Sequence, residues 1–146
     1  RRPILDHLNN LGLGDFCQWL GTQPHDRVID EYRQADLFVL GCEVASNGDR
    51  DGIPNVFLES MATGVPVLAT RVSAIPELVE DGRTGLLVEP AQPEAMAAGM
   101  VRLLTDQNLR HRIITAARQQ VREDFDNHKL IHKLAAIFEQ AGLRRA

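Results

Sequence analysis

The sequence predicts an α/β fold, a partial doubly wound parallel sheet followed by C-terminal helices. Three observations predict it. Short apolar runs alternate with helical patterns, an order that forms parallel strands joined by right-handed crossovers. The alternation opens on a helix rather than a strand, and after the fourth apolar run every further segment is helical. The chain therefore reads as the later part of a larger doubly wound domain.

In chain order, residues 1–10 place Ile4, Leu5 and Leu8 on one face of a helix. FCQWL at 16–20 is the first strand-like run, and a helix over 24–34 opens on Pro24. LFVL at 37–40 is the second strand. A long loop over 41–53 leads to a helix over 54–63 with Pro54 at its start, and Gly64 stops it. VPVLA at 65–69 and GLLV at 85–88 are the third and fourth strands. Between them SAIPELV carries Pro76-Glu77 as turn and helix-start chemistry, and Asp81-Gly82 with Thr84-Gly85 shapes the return. Helices over 93–104, about 107–122 and about 128–141 follow, each with apolar residues at three and four spacing.

A composition of 44% hydrophobic and 25% charged residues over 146 positions fits one globular domain and excludes a disordered chain. The net charge is −4 and the basic residues are scattered, so there is no electrostatic footprint for nucleic acid or anionic lipid, and a small-molecule ligand is favoured. Cys17 and Cys42 lack zinc spacing and read as buried, reduced thiols, which points to a cytosolic setting. No apolar run approaches the ~20 residues that span a bilayer.

The stretch most open to chemistry is DRDGIPNVFLE, 49–59. In doubly wound sheets ligands bind beyond the carboxyl ends of strands, and the 41–53 loop is such a place, longer than most connections of its kind. With Pro54 as first helical residue, the amides of Asn55, Val56 and Phe57 are left without intrahelical partners. Together with the helix dipole they suit a phosphate. Gly52 lets the backbone approach closely. Glu59 lies five residues on, about 7.5 Å along the axis. Its carboxylate accepts two hydroxyls of a vicinal diol such as a ribose, and Asp51 on the loop could do the same for a sugar. That arrangement describes a nucleotide diphosphate sugar. Spacing alone leaves the plainer readings open, in which Glu59 sits on a wet helix face and the acids serve the helix dipole.

The runs ADLFVL, DGIPNVFLESMATGVPVLAT and IPELVEDGRTGLLVEP, with FCQWLG before them, resemble the C-terminal donor-binding domain of family 4 retaining glycosyltransferases, the glycosyl transferases group 1, of the two-domain GT-B type with Rossmann-like halves. The family pattern of an acid, seven residues and a Glu, with Gly-X-Pro after the first acid, falls on Asp51, Gly52-Ile53-Pro54 and Glu59. The resemblance implies that Asp51 contacts the donor sugar and is the catalytic-site acid, that Gly52, Ile53, Pro54, Asn55 and Val56 hold sugar and diphosphate, and that Glu59 holds the ribose. Trp19-Leu20-Gly21-Thr22-Gln23 is similar to the loop lining the nucleobase pocket, which assigns Gly21 and Thr22 to substrate binding.

Two departures are visible. Asp51 stands where Glu is common, and Gly41-Cys42 ends a strand that commonly ends in Pro-Ser; the CEVASNGDRDGIPN form is similar to a branch that builds surface polysaccharides such as colanic acid. The family's diphosphate-binding Arg and Lys, in a Gly-Arg…Lys-Gly context, have no counterpart here. The resemblance therefore implies a partial donor-binding domain over 1–146, with the first strands and the N-terminal acceptor domain missing and no turnover on its own. It also implies a saccharide or lipid-linked acceptor, the enzyme's own N-terminal domain as partner, no cofactor or metal, and a cytoplasmic place at the inner membrane face through that missing domain.

Competing readings concern fewer residues. Asp49-Arg50-Asp51 matches the Asp-X-Asp motif of metal-dependent glycosyltransferases, but the Gly-X-Pro helix and the second acid belong to the metal-free type. His128 and His132 share a helical face without a third ligand and read as a solvated or packing pair, and His25 is expected to serve the start of its helix. A nucleotide-sugar 2-epimerase of the same architecture and a non-catalytic nucleotide-sugar module are the alternatives to a transferase.

Overall fold

Every residue of VLAT is apolar or lacks a long polar side chain, so this run has no wet face and belongs at the centre of a sheet. The computed structural model of the chain, which describes residues 2–44, 48, 52–140 and 142, places it there. Strand β2, Val67–Thr70, is buried at all positions. Strand β1, Phe38–Leu40, and strand β3, Leu86–Val88, flank it in the order β1-β2-β3, and both pairs are parallel. The register sets Val39 opposite Leu68 and Leu68 opposite Leu86.

Because side chains alternate along a strand, the sheet feeds two cores. Val67, Ala69 and Leu87 join Phe57, Met61, Ile75 and Leu78 on one side, and Leu68 and Leu86 join Leu103, Leu109 and Ile113 on the other. The first side is covered by helix α3, Asn55–Thr63, and helix α4, Ile75–Leu78, and the second by helix α5, Pro93–Thr105. Helix α6, Gln107–Asp124, contributes to both. Helix α1, Arg2–Asn10, helix α2, His25–Gln34, and helix α7, Asn127–Gln140, complete the order, so each expected helix is present within about two residues of its expected ends.

The 78–87 return is built as the sequence implies. The Thr84 hydroxyl, fully buried, accepts the Glu80 N–H at 2.8 Å and donates to the Leu78 carbonyl at 3.2 Å. The Asp81 carboxylate accepts the Leu87 N–H at 2.9 Å. A Cβ on Gly85 would stand 2.9 Å from the Val67 carbonyl oxygen and 2.6 Å from Val79 Cγ1, so only glycine lets this turn lie against β2.

Four expectations are corrected. The run at 16–20 is not a strand: a 3-10 turn over Gly14–Phe16 ends there and the following backbone pairs with no strand. Among the described residues the sheet therefore has three strands, not four. A strand takes its hydrogen bonds from a neighbour, and no described strand lies beside 16–20. Cys17 is exposed for the same reason, and Cys42 is only half-buried. Pro54 is the N-cap, with φ −61° and ψ 130°, and the helix begins one residue later. Helix α7 buries none of its residues, although its apolar spacing predicts a packed face.

Candidate functional site

The loop that follows β1 is tied down at its first turn. Thr70 Oγ1, at the carboxyl end of β2, accepts the Cys42 N–H and donates to the Cys42 carbonyl, both at 2.7 Å. This clamp continues the β1–β2 pairing past the last strand residues and fixes where the chain leaves the sheet. Beside it, a cavity of about 240 Å³ is lined by Gly41, Glu43, Thr70, Glu89, Gln92 and Met96, beyond the carboxyl ends of all three strands. At the other end of the loop Ile53 packs against the first core, which anchors the entry to α3. Asp49 and Asp51, including the expected sugar contact, lie outside the described residues.

At the start of α3, Gly52 and Asn55 are exposed, and Ile53, Pro54 and Val56 are half-buried. The Phe57 N–H bonds to the Pro54 carbonyl at 3.1 Å, so two helix-end amides, those of Asn55 and Val56, have no partner among the described residues, rather than the three expected. The opposite end is closed: Gly64 adopts φ 88° as C-cap, and Arg118 Nη2 donates to the Thr63 carbonyl at 2.6 Å. A cation thus covers the negative pole of the helix, while among the described residues no side chain covers the positive pole, which suits an anion.

Glu59 does not sit on an indifferent wet face. Its side chain is 26% exposed and turns toward α2, where His25 Nε2 lies 3.3 Å from Oε1. Tyr32 is buried two turns along α2 from His25, near enough to Glu59 to sense its charge. Its phenol is pushed up from 10.0 to about 12, first by burial, then by the nearby Glu59 charge. The Tyr32 ring is held edge-on against Phe38 at 5.6 Å, and Phe38 against Phe57 at 5.7 Å.

Gly21, with φ 66°, and Thr22 are exposed in the loop before α2, and the Gln23 side-chain amide donates to the Leu20 carbonyl across it. This loop runs through Pro24 directly into His25. The His25–Glu59 pair therefore brings the expected nucleobase loop and the α3 start to one side of the molecule. Sequence reasoning missed Tyr32 altogether and assigned His25 only to its own helix. The signal was legible, since residues seven apart on a helix share a face. Among the described residues no group of three His, Cys, Asp or Glu could hold a metal ion, and His128 and His132 are both exposed. No described helix is long and apolar enough to cross a membrane.

Comparison with known proteins adds four findings. Residues 2–120 match the family described as glycosyl transferases group 1. A Salmonella typhimurium protein named as a colanic acid biosynthesis glycosyltransferase is 35% identical over 128 residues, covering 87% of this chain and 32% of the relative. Sucrose-phosphate synthase from Thermosynechococcus elongatus superposes with a TM-score of 0.83 at 25% identity, covering 97% of this chain and 34% of that one. The Anabaena protein HepE, solved in complex with UDP-glucose, superposes with a TM-score of 0.79 at 22% identity, covering 92% and 36%. The chain thus spans about a third of the length of these proteins.

Proposed function

The chain belongs to the glycosyl transferases group 1 family, and from that premise we propose that residues 1–146 are the donor-binding part of a retaining glycosyltransferase. The enzyme moves a sugar from a nucleotide diphosphate sugar to a saccharide or lipid-linked acceptor, in polysaccharide or glycolipid synthesis. The observation that carries this reading is the placement of Glu59, half-buried, turned toward the loop that leads into α2, and on the same helix whose open N-terminus offers the Asn55 and Val56 amides.

A carboxylate has about four lone-pair sites. His25 accounts for one, which leaves enough for the two hydroxyls of a ribose diol. Glu59 takes that diol, the Asn55 and Val56 amides take the diphosphate, and Gly21 and Thr22 border the base. Asp51, with Gly52, Ile53 and Pro54 shaping the backbone beside it, serves the hydroxyls of the transferred sugar. In the reaction the bond from the anomeric carbon to the diphosphate oxygen breaks, and the electron pair stays on that oxygen. The acceptor hydroxyl oxygen bonds to the carbon and its proton leaves. Helix-end amides stabilise the charge that develops on the diphosphate, so no divalent metal is required and a chelator leaves the rate intact. The acceptor side and the basic diphosphate contacts come from the enzyme's other parts, and the site works in the cytoplasm.

Titration of the full-length enzyme with nucleoside diphosphate and with nucleotide sugar tests the assignment. Glu59→Gln weakens both alike, by roughly 1.5–3 kcal/mol for the charge-assisted bond lost, about one to two decades. Asp51→Asn spares the bare nucleotide and impairs only the sugar-bearing donor. Near wild-type affinity and turnover in both variants would return Glu59 to a structural role.

A further inference from the structure

We infer that His25 is a positioning residue of the proposed donor site: its imidazole holds the Glu59 carboxylate from the α2 side and ties the ribose acceptor to the loop that borders the base. The inference rests on the reading of Glu59 as that acceptor. Three features of the molecule support it.

The first is a contact between elements far apart in the chain. His25 Nε2 lies 3.3 Å from Glu59 Oε1, across 34 positions. A carboxylate has no hydrogen to give, so the imidazole nitrogen is the donor. Both ends of the contact are fixed in the backbone. His25 opens α2 directly after Pro24, whose carbonyl accepts the Val28 N–H at 3.2 Å, and the loop before it is braced by the Gln23 side chain on the Leu20 carbonyl. Glu59 stands on α3 between the fully buried Phe57 and Ser60, and α2 packs against α3.

The second is where the contact sits. A hydroxyl bonded to Oε1 at an ordinary length is held within about 6 Å of His25 Nε2, so the imidazole borders whatever diol the carboxylate takes. The base is attached to that same ribose, and Gly21 and Thr22 lie on the loop that runs into His25. One contact therefore links the two halves of the proposed nucleoside site.

The third is exposure, which decides where the effect shows. The His25 side chain is 68% exposed and that of Glu59 26%, and a pair so open to water adds little to the stability of the free protein. A nucleotide lying over the pair excludes that water, and the same bond strengthens as solvent leaves. A glutamate also has several rotatable bonds, and freezing them only when ligand arrives costs affinity; a partner already in place removes part of that cost. The contact thus acts on ligand affinity and hardly on the fold.

The test is a double-mutant cycle in the full-length enzyme with His25→Ala, Glu59→Ala and the pair, and with His25→Gln beside it. It reads affinity for whichever of UDP, GDP and ADP binds the wild-type enzyme most tightly, KM and kcat for the matching nucleotide sugar, and Tm. His25→Ala is expected to weaken the nucleoside diphosphate and raise KM about fivefold, the upper range for a partly exposed pair. It is expected to leave kcat within about twofold, because the ribose is remote from the bond that breaks, and to leave Tm unchanged. His25→Gln, whose amide donates to the same carboxylate, is expected to bring affinity back to within about twofold of wild type. In the Glu59→Ala background the loss of the imidazole is expected to cost nothing further, the signature of one residue acting through the other. Fully additive losses, no recovery with glutamine, or wild-type affinity in His25→Ala while Glu59→Ala is impaired would overturn the role of His25 and leave that of Glu59 standing. Wild-type affinity in Glu59→Ala would overturn the donor-site reading beneath it. A loss of affinity in His25→Ala that comes with a fall in Tm would mark a structural contact and refute positioning as well.

Discussion

Phe57 and Phe16 are the same residue in two regions that look alike in sequence, and they end in opposite environments. Phe57 lies in the block 52–88 and is fully buried between helix and sheet; Phe16 lies in the segment 11–23 and is 84% exposed. The strand-like runs of the two regions differ little in apolar content, FCQWL against VPVLA. What differs is the company. VPVLA finds β1 on one side, β3 on the other and a helix layer on each face. FCQWL finds no strand beside it among the described residues, and all of it but the half-buried Leu20 is exposed. Apolar pattern nominates a strand; hydrogen-bonding neighbours make one.

The contrast can be broken most strongly at its buried end. Phe57→Ala removes a ring fully enclosed in the first core and is expected to destabilise the chain by about 3–5 kcal/mol, measured by denaturant unfolding. A loss below ~1 kcal/mol would mean that the first core does not support the fold. Thr70→Val is the next in size. It keeps the shape but deletes one donated and one accepted bond to Cys42, an expected cost of about 1–3 kcal/mol. Faster amide exchange at 41–44 in this variant, with β3 still protected, would localise the effect to the base of the loop.

A third effect is confined to alkaline pH. The folded Tyr32 phenol ionises at about 12 against 10.0 when unperturbed. Because the folded value is the higher one, the associated stability is complete below pH 10 and is lost as pH rises from about 10 through about 12. Since the chain has one tyrosine, tyrosinate absorbance of the folded chain follows Tyr32 directly, and a midpoint near the ordinary value would contradict the burial of the phenol beside Glu59. The smallest effect is at the exposed end of the comparison, where Phe16→Ala is expected to change stability by no more than about 0.5 kcal/mol. A larger loss would show that 11–23 is packed as tightly as 52–88, and the contrast would fail.

The proposed donor site draws on both regions, which explains how much of it was legible. Glu59, Pro54 and Gly64 carry local signals: an acid inside a helix pattern, a proline near its start and a glycine at its stop. The alternation of runs with helical patterns was enough for the order of elements, and Asp81, Thr84 and Gly85 were readable as a turn because their preferences are set within a few residues. The partner of Glu59 was not readable in this way. His25 stands 34 positions before it, and its approach depends on how α2 lies across α3. The Thr70–Cys42 clamp spans 28 positions and exists only because β1 and β2 are neighbours in register.

By itself, then, the sequence determined the α/β order, the helix ends and turns, and the spacing that sets an acid beyond an open helix start, because period, proline, glycine and capping act over a few residues. The tertiary structure alone decided that 16–20 pairs with no described strand, that α7 buries nothing, and that Glu59 turns toward α2 and His25. Pairing, burial and the orientation of a flexible carboxylate are properties of neighbours that the chain brings together only by folding.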